Sequence, residues 1–269
     1  LDELFSSSEF DAVMHFASFI EVGESVRDPA KYYQNNFSNT LNLLNAMVRH
    51  GINKFIFSST AAIFGNPEYT PIDEIHPKSP INPYGMSKLM VEHALADYEK
   101  AYGIQSVCLR YFNAAGADPD GELGERHNPE THLIPLVLQA ASKRRDAISV
   151  FGQDYDTDDG SCVRDYIHIV DLCQAHLLAL DKLMHGSGSK RYNLGNGNGY
   201  SVLEVINIAR LVTGHDINVI ATERRPGDPA TLVADSSLAK QELSWTPQYD
   251  ELSTIVKHAW DWEENFFKN

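Results

Sequence analysis

The chain has 269 residues, 43% of them apolar, and a formal net charge of −15 at pH 7. That length supports one large or two small domains with a real core. The acidic balance, unrelieved by any long basic run, excludes a nucleic-acid surface, and no run of about 18 apolar residues is present to span a membrane. A small anionic ligand remains compatible if a few arginines are placed locally. Cys108, Cys162 and Cys173 are odd in number and lie in apolar or mixed stretches. They read as reduced, structural thiols of a cytoplasm-like compartment. The chain starts at Leu1 rather than Met, with no signal-peptide pattern after it, so it reads as lacking an N-terminal segment.

In chain order, residues 11–17 form a short apolar run of the kind a buried parallel strand shows. A helical pattern follows over 29–50, with Asp28 as its cap. Residues 54–60 read as a second buried strand ending in the hydroxyls of Ser58, Ser59 and Thr60. A proline-containing loop leads to a helix over 83–102, with Asn82 as cap and Pro83 at its first position. Residues 105–112 make a third strand, ending at Asn113. This alternation implies right-handed β-α-β units and a parallel sheet covered by helices, with ligands bound beyond the carboxyl ends of its strands. Phe16-Ala17-Ser18, Ser58-Ser59-Thr60 and Phe112-Asn113 are three such ends and should converge.

Beyond Asn113 the texture changes. Residues 116–132 form a long polar loop, followed by a helix over 133–142 and a short strand over 148–151. Residues 164–168 lead into a helix over 169–184, and 192–195 read as a strand. Ser201 and Glu204 have the spacing of a capping box that opens a helix reaching about Thr213. A strand is expected over 217–221, then a charged loop over 224–228. The last helix, from about Glu251, carries Trp260, Trp262, Phe266 and Phe267, which read as packing.

The chemistry centres on Tyr84 and Lys88. Four apart in a helix, they share one face, and a phenol beside an ammonium has the makings of a general base. Tyr starts near a pKa of ~10, so working near neutrality needs a drop of ~3 units, or ~4 kcal/mol. One cation at ~4 Å in an effective dielectric of ~20 supplies ~4 kcal/mol before its own desolvation is subtracted. The spacing alone fits an ordinary amphipathic helix equally well. No metal-ligand spacing stands out: His127 and His132 lie in a loop with no second pair and no helical HExxH.

A strand-end hydroxyl with a Tyr and a Lys one helical turn apart resembles the acid–base set of the short-chain dehydrogenase/reductase superfamily. The likeness extends further. His15-Phe16-Ala17, Gly23-Glu24-Ser25, Tyr32-Tyr33-Gln34-Asn35-Asn36, Phe57-Ser58-Ser59-Thr60-Ala61, Pro83-Tyr84-Gly85-Met86-Ser87-Lys88, Arg110-Tyr111-Phe112-Asn113, the segment 160–168, Tyr192-Asn193-Leu194-Gly195 and the segment 224–228 occur in this order. Together they resemble the UDP-galactose 4-epimerase family, an extended branch of that superfamily, from about Asp11 to the end.

The resemblance implies an α/β, Rossmann-like doubly wound parallel sheet with a smaller α+β substrate domain. Residues 1–115 would be the remainder of an NAD-binding domain, with 164–197 returning to it, and 116–269 would mainly hold the UDP-sugar. It implies NAD as cofactor, a UDP-hexose substrate and a homodimer formed through the helices near 29–50 and 83–102. Thr60, Tyr84 and Lys88 become the catalytic set. Phe16, Ala17, Ser18, Asn35, Thr60, Tyr84, Lys88 and Phe112 match NAD contacts. Asn113, His132, Leu133, Ser149, Val150, Phe151, Arg164, Arg225 and Asp228 match substrate contacts, with the arginines on the diphosphate and nucleotide end. Core packing is the competing role for Phe16, Val150 and Phe151, and an ion pair with Asp165 the competing role for Arg164. Ala61 and Ala62 follow Thr60 where related dehydratases carry an acidic pair, which favours epimerisation over elimination.

Three positions depart from the pattern. Ile20 stands where many members have a Lys that contacts NAD. Leu232 stands where some have a Tyr that gates the C2 substituent, so N-acetylated sugars, or a sibling substrate such as a UDP-pentose or UDP-uronate, stay open. The glycine-rich turn of the dinucleotide fold is not found and would lie before Leu1, in roughly 60 residues or two β-α units. A protein that binds UDP through its C-terminal half without holding NAD is the reading from a different class.

Overall fold

The computed structural model describes residues 1–225 and 228–267. Pro226 and Gly227 of the expected charged loop lie outside the described residues.

The first half alternates as expected. Helix α1 (Asp2–Ser7) precedes strand β1 (Val13–His15) and helix α2 (Val22–Arg27). Helix α3 (Pro29–Tyr32), a π-helical turn (Tyr33–Ser38) and helix α4 (Asn39–Arg49) run on without a break. The Asp28 side chain caps α3 by accepting from the Lys31 N–H. Strand β2 (Lys54–Thr60), helix α5 (Pro83–Tyr102) and strand β3 (Gln105–Tyr111) follow. The α5 cap is the expected one: Asn82 Oδ1 accepts from Gly85 N at 2.8 Å. At its other end Gly103 adopts φ +74° and closes the helix.

Strand β4 (Asn113–Ala115), helix α6 (Leu133–Ala141), strand β5 (Ile148–Phe151), strand β6 (Val163–His168), helix α7 (Ile169–Met184) and strand β7 (Lys190–Leu194) come next. Strand β8 (Gly199–Ser201), helix α8 (Val202–Thr213), strand β9 (Val219–Thr222), strand β10 (Thr231–Leu232), helix α9 (Ser237–Leu243) and helix α10 (Leu252–Phe267) complete the chain. The capping box at Ser201 and Glu204 is present in full. One expectation needs correction: residues 163–168 are a strand, not a lead-in, and Ser237–Leu243 is a further helix for which no element was expected.

The main sheet is parallel, in the order β1-β2-β3-β7. Its alternating side chains feed two cores, as the two-residue period of a strand requires. Phe55, Phe57 and Cys108 pack with Leu44 and Met47 of α4 and Val91 and Leu95 of α5. Ile56, Val107 and Leu109 pack with Leu172, Ala175 and Ala179 of α7. A second sheet, β10-β6-β4 with β8 antiparallel to β6, leads away from it. A third core gathers Val137, Val205, Ile255 and Trp260 around β5, so the terminal aromatic Trp260 is packing, as expected. No helix among the described residues is long and apolar enough to cross a membrane.

His168 ends β6 without solvent exposure. Its Nδ1 accepts from Val170 N at 3.1 Å, so it is the cap of α7, and its Nε2 lies 3.0 Å from His258 Nδ1. Burial, with the neighbouring His258 adding, pushes its pKa down to about 4. A histidine kept neutral in the fold and free to charge in the unfolded chain contributes stability that is full above about pH 6.5. It is lost as pH falls towards 4. An Asn can cap in the same way, so His168→Asn should flatten the fall in melting temperature between about pH 6.5 and 4. Equal pH dependence in the variant and the parent would disprove this linkage.

Candidate active site

Helix α5 presents Tyr84, Lys88 and Glu92 at successive turns of one face, and β2 and β3 meet that face with polar groups. At the first turn the Thr60 hydroxyl lies beside the Tyr84 phenol and acts to lower its pKa. At the second, Lys88 Nζ donates to the Ser58 carbonyl at 2.9 Å and lies 5.0 Å from the Phe57 ring centroid. At the third, Ser59 Oγ donates to Glu92 Oε1 at 2.6 Å, and Arg110 grips both carboxylate oxygens at 3.0 and 2.6 Å. The helix comes this close because residue 85 is glycine. A Cβ there would sit 2.4 Å from the Ala62 carbonyl oxygen, so any side chain would lever Tyr84 away from Thr60.

The electrostatics differ from the expectation that Lys88 lowers the phenol's pKa. Burial raises the Tyr84 pKa well above the ordinary tyrosine value, against an opposing contribution from the Thr60 hydrogen bond. Burial also pushes Lys88 down to about 7. One helical turn of spacing puts the two residues on one face, but the ammonium is drawn to a main-chain carbonyl behind the phenol. The Glu92–Arg110 pair was not foreseen. Both residues are 2% exposed, and Glu92 is eight residues beyond Tyr84, a repeat that marks it as part of the same inward face.

The strand ends converge as expected. Past β1, Phe16 is 55% exposed, and Ser18 bonds the neighbouring Phe19 carbonyl. Asn36 clamps this loop. It accepts from Phe19 N and donates to Phe19 O, both at 2.9 Å, and reaches Ser87 Oγ on α5 at 3.2 Å. Asn35 donates to Asn36 Oδ1 at 3.0 Å. The π-helical turn that carries this pair is a form often found at functional sites. Ile20 is 38% exposed beside it.

The substrate-side residues form a second group. Arg164 pairs with Asp228 rather than Asp165, and also donates to the carbonyls of Val163 at 2.7 Å and Pro229 at 2.8 Å. Asp165 instead turns inward and accepts from Asn196, Gly197 and Ala234 N–H groups at 2.8–3.0 Å. The Arg225 guanidinium lies 3.8 Å from the Phe151 ring centroid. Val150 is fully buried in the third core, so only its backbone can serve a ligand. Ser149 pairs in register with Ile220, and Asn113 Nδ2 donates to Asp165 O at 2.9 Å, tying β4 to β6. His132 precedes α6, its ring turned to Glu125, and Leu133 is that helix's first residue. The two groups meet at a small core where Phe112 and Leu232 pack against Ala61, Ile63 and Leu89.

A strand-end hydroxyl, a half-buried phenol and a lysine of lowered pKa on one helical face form an acid–base set of the reductase type. Residues 1–195 match the NAD dependent epimerase/dehydratase family. The chain is 52% identical over 264 residues to the UDP-glucose 4-epimerase of Halalkalibacterium halodurans, covering 98% of this chain and 79% of that one. It superposes on UDP-glucose 4-epimerase from Brucella ovis in complex with NAD with a TM-score of 0.93 at 48% identity, covering 96% of this chain and 80% of that one. For the Bifidobacterium longum UDP-glucose 4-epimerase in complex with NAD+ and UDP, the TM-score is 0.94 at 41% identity, with 100% and 80% covered. The chain belongs to the NAD dependent epimerase/dehydratase family, within its UDP-glucose 4-epimerase branch.

Lys88 carries a desolvation cost. A lysine whose pKa falls from the usual value to about 7 is fully penalised below about pH 7, and the penalty fades as pH rises towards 10.5. Lys88→Met should therefore raise stability at pH 7, on the order of 1–3 kcal/mol, while lowering turnover. The gain should shrink between pH 7 and 10.5. Denaturant titrations at both pH values check this, and a destabilised variant would refute it.

Proposed function

We propose that this protein interconverts UDP-galactose and UDP-glucose by oxidising and re-reducing carbon 4 of the sugar, with Tyr84 as the base. The observation that carries the reading is the half-buried Tyr84 facing the Thr60 hydroxyl at the end of β2, with Lys88 one turn behind it. The residues present suit NAD. The lysine ammonium has three donors and spends one on Ser58, leaving two for ribose hydroxyls, and the exposed Phe16-Ala17-Ser18 loop offers main-chain groups beside it. Bound NAD supplies the hydride acceptor and donor, and its positive ring is the charge that favours the phenolate.

Tyr84 takes the proton of the sugar 4-hydroxyl, directly or through Thr60. Turnover of the resulting 4-keto sugar needs a loose hold on the hexose and a firm one on the nucleotide. Arg164 and Arg225 provide the firm end, since a guanidinium fork matches phosphate oxygens and keeps its charge. Phe151, stacked under Arg225, is placed to flank the base. Residues 116–269 mainly hold the UDP end. Leu232, half-buried beside Phe112, leaves room that a tyrosine would fill, so N-acetylated substrates fall within reach. A cytoplasmic homodimer through α4 and α5 completes the proposal, and sedimentation showing monomer alone would count against that last part.

Tyr84→Phe should reduce conversion of UDP-galactose by ~10²–10⁴-fold while calorimetric binding of UDP stays within a factor of a few. Conversion is measured with NAD present. If the parent turned over no UDP-sugar, or if Tyr84→Phe remained active, the assignment of the base fails. Leu232→Tyr should lower turnover of UDP-N-acetylhexosamine relative to UDP-hexose, measured as a ratio of kcat/KM.

A further inference from the structure

The long loop between β4 and α6 contains Glu125, His127, Glu130 and His132 within eight residues. Taken alone the two histidines lacked a second pair of ligands, and the fold supplies it. One donor atom from each of the four residues lies within 4.8 Å of all the others. His127 Nδ1 is 3.0 Å from Glu125 Oε1 and 3.5 Å from Glu130 Oε1, and His132 Nδ1 also meets Glu125 Oε1. Four donors at about 2.0–2.1 Å around a tetrahedral ion sit about 3.3–3.4 Å apart, so the spacings already approach the edges of such a tetrahedron.

Charge points the same way. The carboxylate side chains of Glu125 and Glu130 are only 19% and 7% exposed. Among the described residues, their ion partners within 4 Å are the two imidazoles. Two carboxylates and two imidazoles thus share a partly desolvated site, a donor set that a divalent cation fits. The donors are also held from behind. Glu130 Oε1 accepts from Thr131 N and His132 N at 2.8 and 2.9 Å, and the Glu125 carbonyl accepts from Trp262 Nε1 at 3.2 Å.

We propose that Glu125, His127, Glu130 and His132 bind a divalent cation of the zinc class that cross-links the last part of the 116–132 loop, which Trp262 of α10 holds at the Glu125 carbonyl. Two imidazoles with two carboxylates suit zinc, cobalt or nickel better than magnesium or calcium, which take all-oxygen shells. Four protein donors close the coordination sphere, so the ion is structural and not a Lewis acid for the sugar chemistry. The ion uses Nδ1 of His132 and leaves Nε2 of that ring for the substrate side, so the cross-link also sets the position of His132 and Leu133.

The test is a titration of the chelator-treated chain with Zn²⁺ and with Co²⁺. The expected result is one equivalent bound per chain, the intense visible absorption of four-coordinate cobalt, and a melting temperature raised by zinc but not by Mg²⁺ or Ca²⁺. His127→Ala and Glu130→Gln should each weaken binding by at least ~10-fold, with the metal-free melting temperature of each variant measured to establish that it folds. Absence of a stoichiometric site in the parent, an octahedral cobalt spectrum, or zinc affinity unchanged in both folded variants would overturn the proposal.

Discussion

The structure depends on docking a polar helical face into a parallel sheet. Tyr84, Lys88 and Glu92 all point inward from α5, and β2 and β3 answer each with a hydroxyl, a carbonyl or a guanidinium. An apolar face would bind the sheet more cheaply, since taking a charged pair from water costs about as much as the pair returns. What the polar face provides is register. Glu92 is matched bidentately by Arg110, so α5 cannot slide by a turn without stranding a buried carboxylate and a buried guanidinium. Tyr84 and Thr60 are thereby held opposite one another two turns away, and Gly85 allows the final approach.

The second lobe solves a different problem. Its sheet runs β10-β6-β4, and β6 carries the charged residues Arg164 and Asp165 through a largely buried strand. Each charge is absorbed differently. Asp165 becomes a hub for three main-chain N–H groups, and burial still lifts its pKa to about 6. Arg164 reaches out to Asp228. This division fixes the connection after β10 from the inside while leaving a guanidinium at the edge, and Leu232 and Phe112 join the edge to the acid–base pair.

Much of this was legible in the residues. The strand-helix alternation up to Tyr111, the Asn82–Pro83 start of α5 and the Ser201–Glu204 box are local signals, and each is realised. Features built from distant partners were not legible. Glu92 is an ordinary helix carboxylate until Arg110 arrives from another strand. Strand β6 has no apolar alternation, because its charged residues are satisfied by loops some thirty and seventy residues away, so it looked like a connector. The lowered base pKa expected from the Tyr84–Lys88 spacing failed for a related reason. Spacing determines which face a side chain shares, whereas burial and the nearest acceptor determine what the charge does there.

The Arg164–Asp228 contact has a consequence for selectivity. A guanidinium already engaged by a carboxylate and two carbonyls is an occupied receptor, and an incoming anion has to displace or share that partner. Solitary phosphate, chloride or a stray carboxylate gains little from the exchange. Under the proposed roles of Arg225 and Phe151, a nucleoside diphosphate would bring a second phosphate and a base together with the first, and the combined gain would cover the displacement. On that proposal self-neutralisation would work as a threshold: the cleft would stay quiet towards small single anions and respond to a ligand that engages several of its groups together.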